Sequence, residues 1–520
     1  MSSIRPGRSP LEERLRRAQP LPVAAAHGRD TYFADLHTPR GSRHVRVCAG
    51  TACFVAGGGA QHLSEVESAL GVPAGSCAPD GSVSLQQVHC LGYCYGGPAA
   101  LDGDRPHAGA DLADQLTGRA EPRDPPVRVA AMAEPVVLAG VLGAAAAWRV
   151  WPALLRAGGA DRVRSEVAAS GLRGRGGAGF PAERKWAAVA AAPDAGQRYV
   201  VANGDEGDPG SYADRLLMER DPDRVLEGLA LAGLACGATR GYVYVRSEYP
   251  RARAAMRTAV EQARAAGHLG RDVHGTGISF DVEVASGHGS YVAGEETSLL
   301  RSLAGLRGTA RARPPYPTEH GLLGRPTAVN NVETLAAVPG IVAAGGEAYA
   351  RLGTTEEPGT LLVSLSERFA RPGAYEVEFG TPLRTLVEDL GGGLRNGRPL
   401  RALQVGGPLG GFLGPDALDR PLAESAVASA GVSLGHGSLV AVDDRISREG
   451  LLRHVWGFAA RESCGACTPC REGTRLGAAD PDEVSGDEGL LGLMERASLC
   501  AFGRRLPAAV RSLRAVPPWS

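Results

Sequence analysis

Lysine is almost missing. Of the 56 Lys and Arg side chains in this 520-residue chain, only Lys185 is a lysine. Lys and Arg are not interchangeable, so one compact, rotatable ammonium in an arginine-only background marks a place of interest; an ordinary solvated surface lysine is the competing reading. Net charge is scarce too. A formal charge of −1 gives no basic field to draw nucleic acid or anionic lipid. Long apolar runs are absent: the longest, Pro135 to Ala147, is shorter than the roughly twenty residues of a bilayer span and predicts a buried helix. The first forty residues hold no apolar core of signal-peptide type, and no internal repeat is present. These absences predict a soluble, cytoplasmic protein. In that compartment, ten cysteines favour metal binding over disulfides.

What is present is ordinary globular composition, 43% hydrophobic and 22% charged, over a length that predicts several units. Residues 1–43 read as a polar, Pro/Arg-rich arm. Residues 44–120 open on the alternation His44-Val45-Arg46-Val47 and hold four clustered cysteines, and residues 121–134 (Glu121-Pro122-Arg123-Asp124-Pro125-Pro126 onward) read as a linker. From 135 to 345, strands such as Arg198 to Ala202 and Gly241 to Val245 alternate with helical patterns over Arg224–Gly237 and Pro250–Gly267. That alternation predicts an α/β multidomain protein with a largely parallel sheet. Residues 358–442 switch to short strands (Thr360 to Ser364, Ser438 to Val442), and 445–520 to helices around a second cysteine cluster.

The cysteines carry the most specific chemistry. Cys464, Cys467 and Cys470 stand at two successive Cys-x2-Cys steps, with Cys500 about thirty residues on. Three thiolates on a tight turn and a fourth from a distant helix suit a [4Fe–4S] cube; zinc, which usually takes two separated pairs, is the alternative. Cys48-x4-Cys53 and Cys90-x3-Cys94 form two pairs that can each chelate one iron of a [2Fe–2S] rhomb, again with zinc as the alternative. Cys77 and Cys236 have no partner at ligand spacing and read as buried small hydrophobes.

The run from Ser170 to Pro181 contains a literal G-x-G-x-x-G at Gly174, Gly176 and Gly179. A helical pattern over Asp161–Ala169 precedes it where a Rossmann turn would need a strand. Its glycines still let backbone amides approach a phosphate or a flat ring closely. The Asn203 to Gly210 loop follows a strand, where α/β sheets bind ligands, and its carboxylates suit sugar hydroxyls and ring N–H groups; calcium is the competing reading. Tyr291 to Thr297 and Pro326 to Thr334 add adjacent acids and paired amides.

Taken in order, these blocks resemble the NADH-binding flavoprotein subunit of respiratory complex I and the related diaphorase subunits of NAD-dependent hydrogenases and formate dehydrogenases. The resemblance runs through Gly171 to Pro181 with Lys185-Trp186, the Asn203 loop, Tyr291 to Thr297, Arg313 to Pro317, Val329 to Thr334, Glu462 to Gly473 and Ser498-Leu499-Cys500. Residues 44–118 resemble the thioredoxin-like [2Fe–2S] subunit that accompanies it, through Val47-Cys48, Cys53, Asp80-Gly81 and His89 to Cys94. The resemblance implies a thioredoxin-like domain, a Rossmann-like FMN domain, a β-grasp domain of the soluble-ligand-binding type and a helical bundle around the [4Fe–4S] centre. It implies FMN contacts from Gly174, Gly176, Gly177, Asn203, Asp205, Glu206, Tyr291, Gly294, Glu295, Asn330, Asn331 and Thr334. It implies NADH contacts from Phe180, Lys185, Asp208, Glu296 and Tyr316, with Glu296 positioning the nicotinamide and no acid–base residue required. Glu183-Arg184 before the lysine, Tyr316 in place of Phe and Ala293 in place of a cysteine depart from the family pattern.

The implied activity is NADH oxidation or NAD reduction by a flavin subunit, which passes electrons through clusters to other redox subunits. Nicotinamide gives electrons in pairs and clusters take them singly, so FMN must stand between them. Fusion of both modules in one chain favours a hydrogenase or formate dehydrogenase diaphorase over a complex I subunit. A non-catalytic iron–sulfur adapter is the alternative of another class.

Overall fold

The computed structural model describes residues 11, 15, 21–157, 159–193 and 196–519, and their short apolar runs form three sheets. The first has five strands in the order Ser76–Cys77, Val83–Val88, Arg43–Cys48, Ala99–Asp102, Arg105–Ala108. Arg43–Cys48 lies parallel to Val83–Val88 and antiparallel to Ala99–Asp102. Its alternation sends Val45 and Val47 into a core with Val66, Leu85 and Leu116. On the other face, Arg46 reaches out to donate to Ser247 O of the next domain at 2.9 Å.

The second sheet is parallel, in the order Thr327–Asn331, Tyr199–Gly204, Arg240–Val245, Asp281–Ser286. Its strands are nearly all buried, as a sheet covered on both faces demands. The principal covering helix, Pro222–Cys236, starts on a proline and stops at Gly237, whose φ of 68° closes it with a left-handed cap. Register places Asn331 opposite Asn203 at the carboxyl edge, so the two asparagine-bearing loops emerge side by side. The glycine-rich loop lies between helices Ala160–Ser170 and Ala182–Ala191, not after a strand.

The third sheet orders six strands as Gly411–Leu413, Ala402–Val405, Ser438–Val442, Thr360–Leu365, Gly373–Glu378, Arg128–Ala131. Five helices follow: Arg448–Glu462, Thr468–Ala479, Pro481–Gly486, Glu488–Ala497 and Ala501–Ala515. Among the described residues, no helix is long and apolar enough to cross a membrane.

Three expectations need correction. The run Pro135 to Ala147 is not a helix but a series of turns. Glu376 takes the reason for a helix away: its carboxylate accepts from the N–H groups of Val136, Val137 and Leu138 at 2.9–3.0 Å. The expected linker contains the edge strand Arg128–Ala131, paired in parallel with Gly373–Glu378. The expected loose arm holds, from residue 21, the helices Val23–Asp30 and Ala34–His37, and between them Phe33 is fully buried against His288. The rest of that arm, apart from Leu11 and Leu15, lies outside the described residues.

Candidate active site and cluster centres

The glycine-rich loop closes on itself through Gly174 N donating to Phe180 O at 2.9 Å. It then presses on the carboxyl edge of the parallel sheet. A Cβ on Gly176 would lie 3.1 Å from Asn331 Cβ, and Gly177 sits at φ 92°, a conformation that favours glycine. Arg175 N donates to Thr334 Oγ1 at 2.9 Å, so the loop is pinned to the first turn of helix Val332–Ala344. Asn331 caps that helix by accepting from Thr334 N and donates to Asp214 Oδ2. Asn330 Oδ1 accepts from Trp186 Nε1 at 2.9 Å.

The second wall is the Asn203 to Gly210 loop. Asn203 Nδ2 donates to Gly294 O at 2.9 Å, which joins it to the Tyr291 block. Asp205 is buried with Arg246 at 3.7 Å, yet its Oδ2 has no partner, and burial pushes its carboxyl well above the usual range. Such an orphaned group beside a glycine cradle fits a ligand offering a ring N–H. Asp208 accepts from Tyr291 Oη at 2.5 Å and lies 3.0 Å from His436 Nδ1.

Two expected flavin ligands turn elsewhere. Glu206 is buried, and its carboxylate accepts from Ser211 Oγ, Asp214 N and Arg215 N at 2.6–3.1 Å, capping helix Ala213–Arg220. Glu295 caps helix Glu296–Leu303 by accepting from Thr297 N and Ser298 N through Oε2, while Oε1 remains 3.7 Å from Arg313. Helix starts leave unsatisfied N–H groups, and a nearby carboxylate is an effective acceptor for them.

Of the residues expected to face NADH, Phe180 and Tyr316 are about half exposed, at 50% and 51%, as rings awaiting a stacking partner would be. Lys185 forms an ion pair with Glu296 and donates to Val329 O at 2.7 Å. The solvated-surface reading of Lys185 is therefore wrong, since only 15% of its side chain is exposed.

Cys48, Cys53, Cys90 and Cys94 are all buried where the first sheet meets the parallel-sheet domain. Cys90 and Cys94 Sγ are 3.7 Å apart, the separation of two ligands on one tetrahedral iron with bonds of about 2.3 Å. Gly92 N points at Cys90 Sγ and Gly210 N at Cys94 Sγ, each at 3.3 Å, so the cradle supplies amide donors to sulfur. In the helical domain, Cys464, Cys470 and Cys500 are buried and Cys467 is half-buried. Cys467 and Cys500 begin helices Thr468–Ala479 and Ala501–Ala515, and Leu499 N approaches Cys467 Sγ at 3.5 Å. Burial pushes the Cys470 thiol up to about 12 and the Cys500 thiol up to about 11, so a bound cationic core is what would hold them as thiolates. Thiols are the donor type that both clusters take, while among the described residues no three His, Cys, Asp or Glu side chains close on a single metal ion. Cys77 and Cys236 stand apart: Cys236 is fully buried in apolar surroundings that raise its thiol, but Cys77, expected to be buried, is part-exposed on the edge strand Ser76–Cys77.

The cluster environments and the cleft share one junction. Glu462, two residues before Cys464, lies 2.5 Å from His89 Nδ1, next to Cys90, and accepts from Tyr291 N at 2.9 Å. Phe458 and Phe502 pack against the Tyr291 ring at 5.2 and 5.7 Å between centroids. Sequence reasoning gave Glu462 and His436 no role. Their partners are more than 170 residues away in the chain, and no local spacing signals that.

Comparison with known proteins accords with this geometry. The Nuo51 FMN-binding domain family matches residues 167–340, the thioredoxin-like [2Fe-2S] ferredoxin family residues 21–114, and the NADH-ubiquinone oxidoreductase-F iron-sulfur binding region residues 450–515. The chain is 44% identical over 313 residues to the NADH-quinone oxidoreductase F subunit of Salmonella typhimurium, covering 60% of this chain and 70% of that one. It is 38% identical over 356 residues to the NADP-reducing hydrogenase subunit HndC of Solidesulfovibrio fructosivorans, covering 66% and 72%. A chain of an air-oxidized NAD+-reducing [NiFe]-hydrogenase superposes with a TM-score of 0.86 at 30% identity, covering 99% of this chain and 93% of that one.

Proposed function

Because the chain belongs to the family of NADH-quinone oxidoreductase F subunits, we propose that it is the FMN-dependent diaphorase subunit of a multi-subunit, NAD-dependent redox complex. Its cofactors are FMN, one [2Fe–2S] and one [4Fe–4S] cluster. The observation that carries the reading is that both cysteine quartets meet the walls of a single glycine-lined cleft: Gly210 reaches Cys94 and Glu462 reaches Tyr291.

FMN supplies the conversion between paired and single electrons. The residues of this chain bind and orient around it. Gly174, Gly176, Gly177, Asn203, Asp205, Tyr291, Gly294, Asn330, Asn331 and Thr334 form the flavin cradle, with Glu206 and Glu295 supporting it by capping two of its helices. Phe180 and Tyr316 stack on the dinucleotide, Glu296, held by Lys185, orients the nicotinamide, and Asp208 fixes Tyr291. Cys48, Cys53, Cys90 and Cys94 hold the [2Fe–2S] cluster, and Cys464, Cys467, Cys470 and Cys500 the [4Fe–4S] cluster. Residues 44–120, 135–345, 358–442 and 445–520 act as the four working domains, in the cytoplasm.

A hydrogenase-type parent complex is favoured because the likeness to the hydrogenase chain, at 30% identity, spans 99% of this one and so includes the N-terminal [2Fe–2S] module. The test is turnover by the pure chain under anaerobic conditions. It should reduce ferricyanide with NADH but turn over neither hydrogen, formate nor quinone until partner subunits, identified by pull-down, are added. Robust turnover of any of those three by the chain alone would overturn the reading, as would protein free of flavin and iron.

A further inference from the structure

Arg173, Arg175 and Lys185, in the glycine-rich loop and the helix after it, already have partners of their own. Arg173 donates to Gly179 O at 3.2 Å, Arg175 donates to Tyr349 Oη and Pro358 O with its guanidinium 4.5 Å from the Phe379 ring centroid, and Lys185 is held by Glu296 and Val329 O. Yet the space between the loop and helix Val332–Ala344 has the character of an anion site. Gly176 and Gly177 leave backbone exposed there and the helix points its N-terminus at them, which favours an anion, while the buried acids Asp208, Asp214, Glu206 and Glu333 nearby oppose it. A phosphate placed among those carboxylates needs a cation close by.

His436 faces that space. It lies in the turn before strand Ser438–Val442, between Gly435 and Gly437, and reaches across from the six-stranded sheet. Its Nε2 would be 3.6 Å from a Cβ on Gly176, a position itself 3.1 Å from Asn331 Cβ. Its Nδ1 lies 3.0 Å from Asp208 Oδ2, and Asp208 is in turn held by Tyr291 Oη at 2.5 Å. The carboxylate therefore stands beside Nδ1 as an ion-pair partner, without an aligned hydrogen bond, and Nε2 is the nitrogen toward Gly176 and the cleft.

We propose that His436 is the positioning cation of the flavin phosphate: Asp208 holds its Nδ1 side, and Nε2–H, with the loop amides and the start of helix Val332–Ala344, receives the terminal phosphate of FMN. The proposal rests on the flavin reading given above. Charge supports it. Burial alone would lower the imidazole, but Asp208, then Asp214 and Glu206, push it up to about 10, which keeps it cationic at neutral pH.

The test compares FMN with riboflavin, which differs only by the phosphate. Full-length protein is deflavinated, and both flavins are rebound to it and to His436→Asn, with fluorescence quenching as the readout. The expected result is an FMN preference that falls at least about tenfold in His436→Asn through weaker FMN binding, with riboflavin affinity unmoved. Arg173→Gln should keep the native preference. An unchanged preference in His436→Asn overturns the proposal, as does a rise in NADH KM without loss of preference, which would assign the cation to the dinucleotide. Should His436→Asn lose its cluster spectra and so fail to fold, Asp208→Asn reads the same ratio, and a native ratio there overturns it equally. Wild-type protein that rebinds neither flavin would instead refute the flavin reading itself.

Discussion

Replacing Glu462 probes whether the three redox environments are one mechanical unit. Its carboxylate is part-buried, with 17% of the side chain exposed, faces His89 Nδ1 at 2.5 Å and accepts from Tyr291 N at 2.9 Å. Glu462→Ala leaves both groups without their partner in a part-buried contact, and each stranded donor costs about 1–3 kcal/mol. Glu462→Gln keeps an acceptor for Tyr291 N but loses the charge beside His89, a loss of about 1.5–3 kcal/mol. The assay is guanidinium unfolding of the anaerobic holoprotein, read at the first transition, since a chain of several domains need not unfold in one step. Burial by itself raises the Glu462 carboxyl, but His89 and the Tyr291 N–H outweigh that and hold it below its ordinary value. A lowered carboxylate contributes its full stabilisation above about pH 4.3 and loses it as pH falls through the lowered value. The gap between native and Gln midpoints should therefore be constant from neutral pH down to that point and close below it. A native midpoint for Glu462→Ala, or a gap that closes near neutrality, would refute the junction.

Other outcomes follow from the same geometry. Anaerobic protein should hold about six irons per chain, two and four from the two cluster types. Cys464→Ser should remove only the cubane signal in electron paramagnetic resonance, Cys90→Ser only the other, and Cys236→Ser neither; stoichiometric zinc in loaded protein would contradict this. Lys185→Met strips Glu296 of its close cation, leaving Arg313 at 3.9 Å. It should raise the NADH KM about tenfold with flavin content intact, and a native KM would remove Lys185 from the site.

Patterns that depend on near neighbours were legible in the sequence. The helix expected over Pro250–Gly267 is Pro250–Ala265, and the strand expected over Ser438–Val442 has those bounds, because capping and apolar periodicity are local. What escaped depends on distant partners. Pro135 to Ala147 has helix-forming composition, but Glu376, more than 230 residues on, captures its amides. Arg128–Ala131 looks like linker until Gly373–Glu378 offers an edge to pair with. Among the acids, the motifs located Glu206 and Glu295 correctly in the chain but could not show their carboxylates occupied by helix starts. His436 had no signal at all: one histidine between two glycines gains meaning only opposite Gly176.

The loop from Glu206 to Gly210 links cleft to cluster, and its last residue offers a way to separate the two. Gly210 has φ 116°, and its N–H points at Cys94 Sγ at 3.3 Å, so this one amide belongs to the flavin domain but touches the [2Fe–2S] ligands. A Cβ there would come within 2.7 Å of Val440 Cγ2 and 3.2 Å of Ser438 Cβ, so Gly210→Ala must push the amide away from the sulfur. An N–H donor stabilises the more negative, reduced cluster more than the oxidised one, so its loss lowers the potential. If the bond is worth about 1 kcal/mol more in the reduced state, the shift is roughly 40 mV for one electron. A redox titration by electron paramagnetic resonance should find the [2Fe–2S] potential lowered by that order and the cubane unmoved. Equal shifts in both clusters would mean that the substitution had loosened the whole junction, and an unmoved [2Fe–2S] potential would mean that the Gly210 amide does not tune it.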